Sequence, residues 1–139
     1  MKKLFTLSLL LISTIAFSFA QKVDLKKGIV YFDKQPVYSY DREMMGNITN
    51  LYRLNTSDMI MTISFENNGT INYSNDDYIR IFFYEFNVLI ETGKLRGMWP
   101  KQILERMRKM GVIENNGVFN PMKVENFRMQ YHEEYVRIR

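Results

Sequence analysis

The chain has 139 residues, with 19 Lys and Arg against 15 Asp and Glu, one His and no Cys. Without cysteine there are no disulfides and no acylated cysteine to tether a bacterial lipoprotein, and a conventional zinc site lacks its usual ligands. The small cationic surplus gives no electrostatic argument for a nucleic-acid partner.

Residues 1 to 20, MKKLFTLSLLLISTIAFSFA, join Lys2 and Lys3 to an apolar run from Leu4 and end on Ser18-Phe19-Ala20. This is the pattern of a cleavable signal peptide, leaving one α+β domain at 21–139. Thr6, Ser8, Ser13 and Thr14 interrupt the run, which falls short of the roughly 18 apolar residues of a spanning helix. An uncleaved N-terminal anchor is the rival reading; after cleavage no membrane span is expected. Two of the cations lie in the leader, so the mature chain carries only +2. The expected location is secreted or periplasmic, and export without cysteine leans toward a bacterial route.

Along the mature chain, Gly28–Phe32 and Pro36–Tyr40 flank Asp33-Lys34-Gln35 and predict a hairpin, after which Asp41-Arg42-Glu43 opens a loop through Gly46. The runs Ile48–Leu54 and Met59–Phe65, separated by Asn55-Thr56-Ser57-Asp58, predict two further strands. Asn67-Asn68-Gly69 is the strongest turn signal, with Thr70–Ser74 returning from it as a strand. Tyr78 to Ile90 is the longest apolar stretch and is expected to form one central strand, with Glu85 on its apolar surface.

The period then changes from two to about 3.6. Ile103, Leu104, Met107 and Met110 share a helical stripe that begins near Pro100 and stops at Gly111, with Lys101, Arg106, Arg108 and Lys109 on its outer side. Val112-Ile113 and Val118-Phe119 bracket a turn at Glu114-Asn115-Asn116-Gly117. Asn120 and Pro121 then cap a second helix carrying Val124, Phe127, Tyr131 and Tyr135. The fold class that follows is α+β: an antiparallel β-meander followed by two short C-terminal helices packed on one face. The leader, the opening KKGIVYFDKQPV hairpin, and the closing ENNGVFNP turn and VENFRMQYHEEY helix resemble small exported bacterial proteins. The resemblance implies a fold and an address, and brings no activity with it.

No reactive constellation emerges. His132, near the chain end beside Glu133 and Glu134, is expected to be solvated and is poorly placed to act as a base. Asn75-Asp76-Asp77 offers oxygen ligands, but without the spacing of a calcium loop. Glu85 is the best single carboxylate for acid catalysis, although pairing with an Arg or Lys of a neighbouring strand is the simpler expectation. Tyr38, Tyr40, Tyr52, Tyr73, Tyr78 and Tyr84 suit cross-strand pairs more than a ligand platform, and Trp99 is the only indole. Methionines 44, 45, 59, 61, 98, 107, 110, 122 and 129 suit gap-filling in the core more than an adaptable binding surface. Asn47, Asn55, Asn68 and Asn72 begin N-glycosylation patterns that matter only in a eukaryotic secretory route. No catalytic residue, metal ligand or cofactor is assigned, and the ligand-binding residues are unknown.

The expected function is a small exported binding or interaction module without catalytic activity. Its partner is a protein, glycan or small-molecule ligand outside the cytoplasm, with no nucleic acid. Two alternatives stand beside it: an extracytoplasmic carboxylate-dependent hydrolase using Glu85 and Asp76 or Asp77, and a cell-envelope structural or assembly subunit pairing through an exposed strand edge.

Overall fold

The computed structural model describes residues 21–135; the expected leader at 1–20 and the last four residues lie outside the described residues. Seven strands form one antiparallel sheet whose spatial order is the chain order. They are β1 (Val23–Lys26), β2 (Ile29–Phe32), β3 (Gln35–Glu43), β4 (Ile48–Arg53), β5 (Met59–Glu66), β6 (Tyr78–Phe83) and β7 (Val88–Thr92). Two helices follow, α1 (Pro100–Lys109) and α2 (Pro121–Tyr131), so the α+β meander expected from the sequence is the fold observed. No described helix is long and apolar enough to cross a membrane.

Alternation along the strands separates two faces. Val30, Leu51, Met61, Ile63, Ile79, Ile81, Phe83 and Ile90 are buried on the helix-covered face. Asp41, Asn50, Thr62, Phe82 and Leu89 lie in register across the other face. Helix α1 packs against β1 and α2 against β7, closing the core from both ends of the sheet. Ile103, Leu104, Met107, Val124 and Phe127 supply its second layer, each fully buried side chain of this size contributing about 1.5–3 kcal/mol. Each helix starts as its sequence requires. Gln102 Oε1 accepts the Trp99 N–H ahead of Pro100 (2.8 Å), and Asn120 Oδ1 accepts the Lys123 N–H ahead of Pro121 (3.1 Å).

Several expectations are corrected. Tyr78–Ile90 is a hairpin, not one strand, because Asn87 takes a left-handed φ of 52° and lets Phe83 pair with Val88 across a tight turn. Glu85 is therefore exposed in that turn rather than set on a strand. Asn68 and Gly69 do turn, at φ of 52° and 79°. The chain then forms a loop instead of a returning strand, held where Thr70 Oγ1 donates to the Asp76 carboxylate at 2.7 Å. The pairing place beside β5 goes to β6, which can bury Ile79, Ile81 and Phe83 where Thr70–Ser74 cannot. Asp41–Glu43 extends β3 instead of opening a loop, since each residue finds a partner on β4.

Strand β1 was not anticipated; the left-handed pair Lys27-Gly28 turns it onto β2. Helix α2 stops at Tyr131, so Tyr135 is not helical and instead stacks on Tyr78 with centroids 4.4 Å apart. Arg108 does not line a solvated outer side. It is 3% exposed, and its guanidinium is drawn inward by the carbonyl oxygen of Lys22 and the carboxylate of Asp33.

Candidate functional site

Four residues, Met44 to Asn47, join β3 to β4, and this brevity forces an unusual backbone. Met44 and Met45 both take left-handed conformations, at φ of 50° and 59°, and Gly46 follows at 93°. Glycine suits this geometry; methionine does not, because its Cβ crowds the following carbonyl. The other left-handed non-glycine residues described are Asn, Asp or Lys in turns. Adjacent strained residues of this kind are retained only where their surroundings impose them, and they concentrate at binding surfaces.

The turn holds its methionine side chains out in solvent, Met44 70% and Met45 105% exposed. Across from Met45 is Trp99, 71% exposed at the entrance to α1, where Pro100 fixes the chain direction. Between them lies an open cavity of about 410 Å³ lined by Arg42, Met45, Phe65, Met98, Trp99 and Pro100. A second cavity of about 430 Å³ adjoins it and shares Asn47, Phe65 and Gly97 in its wall.

The second chamber is more polar, with Met44, Ile48 and Ile79 alongside Glu66, Asp77 and Arg96. Arg96 Nε donates to the backbone carbonyl of Asp77 at 2.9 Å. The Asp77 carboxylate makes no ion pair among the described residues, whereas Glu66 Oε1 accepts from the Ser64 hydroxyl at 3.2 Å and lies 3.9 Å from Arg80. With Arg80 set beside Glu66 and Arg96 in the wall, the charges around this chamber balance, and it adjoins an apolar neighbour rimmed by Arg42.

The uncovered sheet face carries a separate polar network. Asn50 Nδ2 donates to both Asp41 Oδ1 (2.9 Å) and Glu43 Oε1 (2.8 Å), and its Oδ1 accepts from Thr62 (3.0 Å). Tyr52 donates to Asp41 Oδ2 at 2.7 Å, and this bond to a carboxylate pushes the phenol up to about 12. Asp41 and Glu43 escaped the sequence reading because they were placed in a loop; two-residue spacing on a strand was the available signal.

The residues singled out in the sequence are not brought together. Asp76 and Glu85 lie beyond opposite ends of β6, roughly 20 Å of strand apart at about 3.4 Å per residue. Glu85 finds no Arg or Lys partner among the described residues; Arg53, on the same small cavity, pairs with Asp58 instead. Among the described residues no cluster of His, Asp and Glu is arranged to hold a metal ion. His132 is half-buried rather than solvated, accepting the Glu91 N–H on Nδ1 at 3.1 Å. The tyrosines disperse: Tyr38 enters the core, Tyr73 sits on a loop, Tyr78 stacks on Tyr135, and only Tyr52 and Tyr84 share the open face. The methionines divide, with Met61 and Met107 filling the core and Met44, Met45, Met122 and Met129 on the surface.

No known family model matches the chain, and no curated protein or solved structure matches it.

Proposed function

We propose that this protein is a small exported binding module that holds an extended peptide segment in the cleft beneath Met45 and Trp99. The observation that carries this reading is the Met44-Met45 turn. It keeps two apolar side chains in water, on strained backbone, one of them across a cavity from the chain's sole tryptophan. Exposed methionine and tryptophan adapt to and anchor apolar side chains. The Asp77 carboxylate, which makes no ion pair among the described residues, favours a basic residue in the adjoining chamber. The preferred occupant is thus a strand-like segment alternating aliphatic and basic residues, whose successive side chains enter different chambers. Export rests on the signal-like pattern of residues 1–20, and it places the partner outside the cytoplasm.

Calorimetric titration with the capped peptide Leu-Lys-Leu-Lys, against Leu-Glu-Leu-Glu and Ser-Lys-Ser-Lys, tests the reading. Saturable binding of the first alone is expected, weakened about two- to fivefold by Asp77→Asn, as for a partly exposed ion pair. Equal binding of the acidic peptide, or binding of a glycan at the same cleft in place of all three, would reject the peptide reading.

A further inference from the structure

Beyond α2 the chain becomes extended at His132 and runs beside β7. The Glu91 N–H donates to His132 Nδ1 at 3.1 Å, and the Glu133 N–H returns a bond to the Glu91 carbonyl at 2.8 Å. The Glu133 carboxylate accepts from the Gly93 N–H (2.7 Å), the Thr92 hydroxyl (3.2 Å) and the Tyr135 hydroxyl (3.1 Å). The Tyr135 ring then lies on Tyr78, centroids 4.4 Å apart and planes within 18°. His132 to Tyr135 thus form a clasp over the outer edge of β7.

We propose that this clasp is a proton-sensitive latch, closed while His132 is neutral and released when its imidazole takes a second proton. A neutral imidazole offers one lone pair, and here Nδ1 uses it to accept a backbone N–H; in the imidazolium both ring nitrogens are donors. Protonation therefore sets N–H against N–H at Glu91, in a half-buried place where water cannot readily substitute. Around the ring, β7 carries Glu91 and β6 carries Arg80, which pair with each other at 2.8 Å. The end of α2 carries Arg128, paired with Glu125, and the segment after β7 carries Lys94, bonded to the Gln130 carbonyl. The clasp itself carries Glu133, Glu134 and Tyr135.

Burial works against the Glu133 carboxylate, yet the Gly93 N–H and the two hydroxyls hold it below the usual glutamate range. It therefore stays ionised while the imidazole takes its second proton, and the latch responds through the chain's single histidine. Release frees the backbone groups of Glu91 and Gly93 on the sheet edge. The clasp borders the polar chamber of the cleft, since Tyr78, on which Tyr135 rests, also lines that chamber.

Solution NMR of the protein between about pH 8 and 5 reads both halves of the proposal, because the lone imidazole titrates visibly and the Tyr78–Tyr135 ring contact gives a cross-relaxation signal. The open population is expected to rise about tenfold or more, with the same midpoint as the His132 resonance. His132→Asn places a neutral acceptor where Nδ1 stood and is expected to keep the contact at acid pH. A ring contact that persists with His132 demonstrably protonated would overturn the latch, as would acid release that is unchanged in His132→Asn. Should that variant fail to fold, the two midpoints in the unmodified protein decide alone.

Discussion

The Arg108 guanidinium stands over the Phe32 ring, 4.3 Å from its centre, while Nη2 bonds Asp33 at 2.8 Å and Nη1 bonds the Lys22 carbonyl at 3.0 Å. One side chain thereby ties the last turn of α1 to β2 and to the chain leading into β1. Its cation is desolvated against an aromatic face, where such contacts are strongest.

Arg108→Met keeps most of the side-chain stem and removes the charge and its bonds, so it is expected to cost about 1.5–3 kcal/mol in denaturant unfolding. A change within about 0.5 kcal/mol would mark Arg108 as an ordinary surface residue. The same bond gives stability a pH limb. Hydrogen bonding from Arg108 is the leading cause that holds the Asp33 carboxyl below its ordinary value. That contribution is complete above about pH 4, the unfolded value, and is lost as pH falls through the lower folded value. Asp33→Asn is expected to flatten this acid limb and leave its neighbours' contributions in place.

Gly117 tests the docking of the loop before α2. It sits at φ of 83°, and a Cβ there would lie 2.2 Å from Val37 Cγ1 and 3.2 Å from Tyr38 Cε1. Its carbonyl also accepts the Tyr38 hydroxyl. Gly117→Ala combines left-handed strain with overpacking and is expected to cost at least about 2 kcal/mol. Thermal unfolding measures it, and an unchanged midpoint would show that the loop is not held against β3.

Met45→Gly should separate stability from binding. Glycine relieves the left-handed strain but adds unfolded-chain entropy, so a net gain of about 0.5–1 kcal/mol is expected. The same substitution removes an apolar wall of the cleft and should weaken Leu-Lys-Leu-Lys binding. If the variant is less stable, or binds as tightly as the parent, the strained turn does not serve the cleft.

Much of the fold was legible because alternation and period carry it. Ile48–Arg53 and Met59–Glu66 are apolar-rich runs set apart by the turn-prone Asn55-Thr56-Ser57-Asp58, and Pro100 with Gly111, and Asn120 with Pro121, bracket the helices as their backbone chemistry requires. Tyr84–Asn87 was illegible because it turns without Gly or Pro and still sends Phe86 back against the core. Asn67–Gly69 showed that the chain turns, not which segment it pairs with next; that depends on the apolar faces of β5 and β6 together. Arg108 misled because charge suggested solvent, whereas its partners, Lys22 and Asp33, lie more than seventy residues away in sequence. The cleft was hidden for the same reason: Met45 and Trp99 meet only through strand order and the start of α1, a relation with no local spacing signal.

Trp99 is the chain's only tryptophan, so its emission reports the cleft and nothing else. Titration of the protein with capped Leu-Lys-Leu-Lys tests the binding reading most directly. The expected result is a saturable blue shift as the peptide's aliphatic side chains displace water from the indole, absent with Ser-Lys-Ser-Lys and Leu-Glu-Leu-Glu. An emission maximum that stays at its fully solvated position while calorimetry registers binding would place the peptide elsewhere, and no response by either method would contradict the cleft's role altogether.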